Sequence, residues 1–216
     1  MPENVILVRH ARSTANDDRS VYRTTPDHVI PLSRPHDDPA ALLAGDAIAA
    51  LGLPPEQTCS WCSTYLRCQQ TENLVLARAF GEDARRVRLR ASFLLREQEF
   101  GDWDSLTDEE IAATDPVRSA RRRLLSDNYG RFYFRFPNGE SRADVAQRVT
   151  IFIGKLQRSP LKHHIVFLHG ITQRAFRMSW LNLSVDWFEE EPNPPNASVL
   201  LLRRGGEGNR WRERYL

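Results

Sequence analysis

Two stretches far apart in the chain each set a histidine directly behind an apolar run. In the first, Val5-Ile6-Leu7-Val8 leads into Arg9-His10; in the second, Ile165-Val166-Phe167-Leu168 leads into His169-Gly170. An unbroken run of this kind reads as a strand buried on both faces, as in a parallel sheet. The ligand crevice of an open α/β sheet lies beyond the carboxyl ends of its strands. Both histidines are therefore expected to face one crevice. An imidazole there can act as nucleophile or proton carrier, and the arginine beside the first supplies a fork of donors for an anion. Gly170 leaves the backbone open to close approach.

The elements that must position these groups alternate. Helices are expected over Pro39 to Leu51, ended by Gly52, and over Leu66 to Phe80, with Arg67 in the first turn, where free amides already favour an anion. A helix capped by Ser141 carries Val145, Val149, Phe152, Ile153 and Leu156 as its buried stripe, and another spans about Thr172 to Leu183. Strands are expected at Thr58 to Ser63, Val87 to Leu89, His164 to Leu168, Ser198 to Leu202 and, as an edge, Arg210 to Tyr215. This alternation implies an α/β fold with right-handed crossovers, a three-layer α/β/α sandwich around a mostly parallel central sheet. Residues 1–216 read as one domain, with a helical and loop insertion at about 93–138 over the site. Its helix is expected from Thr107 to Leu125, with Arg121-Arg122-Arg123 on a solvated face. Tyr129 to Phe136 alternates aromatic with basic. That pattern fits single-stranded nucleic acid, or rings packed inward with Arg131 and Arg135 aimed at an anionic substrate. Residues 17–38 form a long polar loop leaving the first strand, with Arg12, Tyr22 and Arg23 as candidate substrate contacts.

Bulk properties narrow the classes. The 216 residues carry a formal net charge of +2, with 28 acidic residues against 30 basic ones, which argues against a nucleic-acid partner. Only Lys155 and Lys162 are lysines, leaving 28 arginines. No apolar run approaches the roughly 20 residues of a membrane span, and the N-terminus lacks the pattern of a signal peptide. No membrane association and a cytoplasmic location are expected. Cys59, Cys62 and Cys68 form no disulfide framework; the Cys59–Cys62 spacing matches a redox or zinc half-site, but no second ligand pair follows, so core packing is expected.

Five pieces together resemble the histidine phosphatases, the phosphoglycerate mutase-like superfamily: Leu7-Val8-Arg9-His10-Ala11 with Ser13 and Asn16; Ser63 to Thr71; Glu97-Gln98-Glu99-Phe100-Gly101; Gly139-Glu140-Ser141; and Leu168-His169-Gly170. They occur in the family's order from about Val5 to Leu202. The resemblance implies that His10 is the nucleophile, that Arg9, Arg67 and His169 neutralise the phosphoryl group, that Ser13 and Asn16 help orient it, and that a carboxyl group supplies a proton. The family's glutamate four residues before a glycine picks out Glu97, with Glu99 as the alternative. Ala11 replaces the family's usual glycine, and Asp102-Trp103-Asp104-Ser105 departs from its tryptophan-glutamate-glycine.

Neutral imidazole attacks phosphorus and splits one displacement into two, and phosphoryl transfer rests mainly on positioning and charge stabilisation. The expected activity is hydrolysis of phosphate monoesters on a phosphorylated small molecule, without metal or other cofactor. Two alternatives stand beside it: mutase-type transfer, and a phosphate-binding regulatory module without catalysis. A homodimer is allowed by an exposed sheet edge expected near Ser198.

Overall fold

A computed structural model describes residues 1–205 and 211–216. The side chain of Tyr129 and residue 210, the first of the expected edge strand, lie outside the described set. The first strand, β1 (Asn4–Arg9), shows why the molecule is layered. Five of its six residues are buried, and because successive side chains point to opposite faces, Val5 and Leu7 enter one apolar cluster while Ile6 and Val8 enter another.

The remaining elements follow in chain order: α1 (Thr14–Asp17), α2 (Pro39–Ala49), β2 (Thr58–Cys62), α3 (Leu66–Phe80), β3 (Arg88–Ala91), α4 (Asp108–Thr114), α5 (Pro116–Tyr129), α6 (Arg142–Gln157), β4 (His163–Leu168), α7 (Gly170–Leu181), α8 (Val185–Glu190), β5 (Val199–Arg204) and β6 (Trp211–Tyr215). The six strands lie in the order β3-β2-β4-β1-β5-β6. β3, β2, β4 and β1 run parallel, while β5 and β6 are antiparallel to their neighbours. Helices α6 and α7 cover the face with Val5 and Leu7; α2 and α3 cover the other, against Ile6, Val8, Ile165 and Phe167. This is the expected three-layer α/β/α arrangement around a mostly parallel sheet.

Several local expectations change. The insertion holds two helices rather than one, because Asp115 breaks the first and caps the second, with Pro116 at its first position. Helix α8 had no sequence counterpart. The strand at Ser198 is not an edge: β5 sits between β1 and β6, so the exposed edges are β3 and β6, and the expected dimerisation edge near Ser198 does not exist. The stretch 17–38 contains two short 3₁₀ turns, Arg19–Arg23 and Asp27–Val29. The three cysteines are buried and unpaired. His163 and His164 are structural: Nδ1 of His163 bonds Asn4 Nδ2 at 2.9 Å, and Nδ1 of His164 accepts from Trp61 Nε1 at 3.1 Å.

The insertion stands on a small core of its own, Trp103, Ile111 and Phe134 with Leu106, Leu125 and Phe136 against them. Its two ends are pinned backbone to backbone: Asp102 N donates to Pro137 O at 2.9 Å and Glu140 N to Glu99 O at 2.8 Å. Gly101 has φ +57°, and a Cβ there would lie 2.0 Å from Pro137 O. A Cβ on Gly139 would lie 2.5 Å from Glu99 O. Both positions need glycine because two segments of the chain cross in contact. Among the described residues no helix is long and apolar enough to cross a membrane.

Candidate active site

The register of the central strands brings the two histidines together. β1 pairs with β4 so that Arg9 lies opposite Leu168. The next residues, His10 and His169, are therefore neighbours beyond the carboxyl edge; His10 N donates to Leu168 O at 3.0 Å, and the rings are 5.1 Å apart between centroids. His10 Nδ1 lies 2.7 Å from Ala11 O. A carbonyl only accepts, so Nδ1 carries the proton and Nε2 holds the lone pair. Burial pushes the His10 pKa well below its ordinary value, assisted by the charge on Arg67. The ring is neutral, the state a nucleophile needs.

His169 caps α7 and is fully buried. Its Nε2 meets Ser63 Oγ at 2.9 Å, and its Nδ1 has no partner among the described residues. Burial, then Arg67 and His10, hold it neutral as well. Nδ1 is thus a buried polar atom without a partner among the described residues, on a ring that packs against His10. A buried polar atom left in this state costs on the order of 1–3 kcal/mol unless something fills the role.

Arg9 and Arg67 line the cleft together with His10 and Glu97. Arg9 donates through Nη1 to Pro194 O, and its buried Nε is unpartnered. Burial lowers the Arg9 pKa, with Glu97 opposing. Arg67 is in the first turn of α3, as expected, and is almost wholly buried. Its guanidinium is held by Asp27, a residue that no sequence pattern singles out: Nη1 donates to Asp27 O at 2.7 Å and Oδ1 at 2.8 Å, and Nη2 to Oδ2 at 3.2 Å. Forty residues separate the pair, so no local pattern betrays it.

Glu97 lies across the cleft, its carboxylate seated on the first turn of α7. Oε2 accepts from Ile171 N at 3.2 Å and Oε1 from Thr172 N at 3.3 Å, while Thr172 Oγ1, whose hydrogen goes to Arg96 O at 2.7 Å, lies 3.2 Å from Oε1. A helix N-terminus offers free amides and partial positive charge to such a group. Glu99, the alternative, is not among the residues that line the cleft and accepts from the Tyr65 hydroxyl at 2.8 Å. Glu140 fixes this segment from behind. It accepts from Arg96 Nη2 at 2.7 Å, Arg148 Nε at 2.9 Å, Arg148 Nη2 at 3.1 Å and Glu99 N at 3.2 Å. Arg148 in turn donates to Leu94 O at 2.7 Å and Glu97 O at 3.0 Å.

Other expected contacts divide. Tyr22 and Asn16 line the cleft. Ser13 is buried behind Asn16, whose Oδ1 takes the Ser13 hydroxyl at 3.0 Å and Asn196 Nδ2 at 3.3 Å. Arg12 does not reach the cleft: it is exposed and paired with Asp17. Nor does Arg23, which bridges to Glu110 of α4 at 2.9 Å. Arg19 and Arg122 stand at the cleft instead, Arg122 paired with Asp108 at 2.8 Å, so it is not a solvated helix-face residue. Arg135 is taken by Asp144 and, with Arg131, lies outside the cleft lining, while Phe132 and Phe134 pack inward. Gly170 does not face open space; a Cβ there would lie 2.9 Å from the Asn193 side chain.

The cleft has a volume of about 460 Å³. Two other hollows, of about 580 and 500 Å³, share none of these residues.

Comparison with known proteins identifies the family. Residues 5–215 match the profile of the histidine phosphatase superfamily (branch 1). Phosphoglycerate mutase-like protein AT74 of Arabidopsis thaliana is 33% identical over 228 residues, covering 97% of this chain and 67% of that one. Broad-range acid phosphatase DET1 of Saccharomyces cerevisiae is 34% identical over 125 residues, 54% of this chain and 34% of that one. Among solved structures, mycobacterial glucosyl-3-phosphoglycerate phosphatase complexed with VO3 aligns with a TM-score of 0.69 at 24% identity, covering 98% of this chain and 97% of that one. Bacillus stearothermophilus YhfR aligns at 0.72 and 20%, covering 97% and 94%. The chain belongs to the histidine phosphatase superfamily.

Proposed function

We propose that this member of the histidine phosphatase superfamily hydrolyses phosphate monoesters through a phosphohistidine on His10, with Glu97 as the proton donor. The observation that carries the reading is the tautomer of His10: its Nδ1 is committed to Ala11 O, so the Nε2 lone pair is the one left for phosphorus. In the first half-reaction that lone pair forms the N–P bond as the P–O bond to the alcohol breaks, and the Glu97 proton passes to the leaving oxygen. In the second, water forms a P–O bond as N–P breaks, and its proton returns to Glu97, so that ester and water give alcohol and phosphate. Arg9, which lines the cleft with its Nε unpartnered, suits the phosphoryl oxygens, whose roughly two negative charges demand neutralisation.

The leaving group faces the insertion. Phe100, Trp103, Leu106, Ile111 and Phe136 form that wall of the cleft together with Asp104, Ser105 and Asp108, and Arg122 is already engaged by Asp108. This surface suits an alcohol with an apolar face and favours hydrolysis over mutase transfer between positions of a small, densely charged metabolite.

The test is hydrolysis of p-nitrophenyl phosphate across pH 4 to 9 by the parent protein and His10→Ala, with trapping of a labelled phosphoenzyme. The reading expects turnover and an acid-labile, base-stable phosphoprotein, both lost in His10→Ala. Turnover that survives in His10→Ala would sink it.

A further inference from the structure

Asp27 is assigned no role by the superfamily motifs in this chain, yet it lines the cleft and grips the most deeply buried cation there. We propose that Asp27 is a positioning residue for phosphoryl transfer: it clamps the outer edge of the Arg67 guanidinium so that the inner edge is presented to the phosphoryl group. The inference rests on the phosphate site proposed above.

The argument is a count of donors. A guanidinium carries five N–H groups in a rigid plane. Asp27 takes three of them: both on Nη1, through its backbone carbonyl and Oδ1, and one on Nη2, through Oδ2. Nε–H and the second Nη2–H remain without partners among the described residues, and they form a parallel pair on one side of the plane. Such a pair matches two phosphoryl oxygens bidentately.

The clamp is also held. Asp27 opens the 3₁₀ turn Asp27–Val29, and Ile30 N bonds back to Asp27 O at 3.3 Å. The Tyr65 ring lies 5.0 Å from the guanidinium carbon, and the Arg67 side chain is 3% exposed, so the plane has little freedom to turn once Asp27 fixes its edge. Arg67 anchored by Asp27 is thus a preorganised donor rather than a mobile one, and preorganised donors need no reorganisation when charge moves.

The experiment is a double-mutant cycle on Asp27→Asn, Arg67→Ala and the pair, read by calorimetric binding of inorganic phosphate and by kcat/KM on p-nitrophenyl phosphate. An asparagine turns a donor toward Nη2, so Asp27→Asn is expected to weaken phosphate binding about tenfold and lower kcat/KM by roughly ten- to a hundredfold, the loss expected of a misplaced catalytic group. Asp27→Glu is expected to recover part of it. In the Arg67→Ala background, Asp27→Asn is expected to cost less than twofold, because its effect passes through Arg67. Additive losses would overturn the proposal by showing a general structural role. Tighter phosphate binding in Asp27→Asn would overturn it too, since Asp27 would then be a competitor for the fork. Coupling in phosphate binding without hydrolysis by the parent would keep the clamp and reject the hydrolytic reading; hydrolysis without coupling would do the reverse; and a parent protein that binds no phosphate would reject both.

Discussion

Glu140→Gln should unseat the segment that carries Glu97, and its cost can be worked from four hydrogen bonds. Oε1 accepts from Arg96 Nη2 and Arg148 Nε; Oε2 accepts from Arg148 Nη2 and Glu99 N. The side chains of Glu140 and Arg148 are 14% and 8% exposed, so water cannot replace what is lost. Glutamine keeps one acceptor oxygen and turns an amide donor toward two other donors, leaving a buried guanidinium without its counter-charge. Breaking one partner of a buried pair costs about 3–5 kcal/mol, and the surviving oxygen puts this case at the lower end, about 3 kcal/mol. For a chain of this length that is a fall of roughly 6–12 °C in midpoint. Because Arg148 Nη2 also bonds Glu97 O, kcat should fall with stability even well below the midpoint. Thermal unfolding by circular dichroism, with kcat measured 15 °C below each midpoint, checks both. A midpoint within 2 °C of the parent, or full activity at matched stability, would refute the claim that Glu140 roots the site.

Two further outcomes are expected. Burial lowers the pKa of His164 to about 4 from the ordinary 6.5; a group depressed in the folded state contributes stability that is fully present above its unfolded pKa and is lost as pH falls through the folded one. The midpoint should therefore drop between about pH 6.5 and 4, and a denaturation series with His164→Gln should flatten that drop; an unchanged slope would assign it to other groups. Gly101→Ala places a Cβ against Pro137 O at φ +57°, which should cost more than about 2 kcal/mol. The loss should be read by hydrogen exchange as faster opening of 101–138 while the central strands stay protected.

The sheet and the two histidines were legible because a strand buried on both faces must be apolar throughout, and its polar stop then marks the crevice. Register did the rest: once β1 and β4 are adjacent and parallel, Arg9 opposite Leu168 makes neighbours of His10 and His169. What the sequence hid was pairing at a distance. Arg12 and Arg23 read as free cations near the site, but Asp17 and Glu110 take them. Arg122 read as solvated, yet it faces the cleft. The break at Asp115-Pro116 does carry a local signal, an N-cap followed by proline, but one that a single helical stretch from Thr107 to Leu125 runs across. The place of β5 in the sheet carried no local signal, since a buried interior strand and a half-covered edge share the same four apolar residues.

The near balance of 30 basic and 28 acidic residues hides how the charges are arranged. At the cleft, carboxylates do separate jobs: Asp27 holds Arg67, Glu140 holds Arg148, and Glu97 sits on the amides of α7. Arg9 alone of the three arginines around His10 and Glu97 is held only by a backbone carbonyl. A phosphoryl dianion entering beside His10 therefore meets Arg9, held by no carboxylate, and Arg67, whose inner edge alone is free, next to two neutral imidazoles, with Arg19 also on the cleft lining. Strong positive charge would bind phosphate product as firmly as substrate; uniform binding of that kind does not raise kcat. A site whose charges are mostly committed to holding one another in place, with a few donors left unpaired, is instead matched to a group that arrives and leaves.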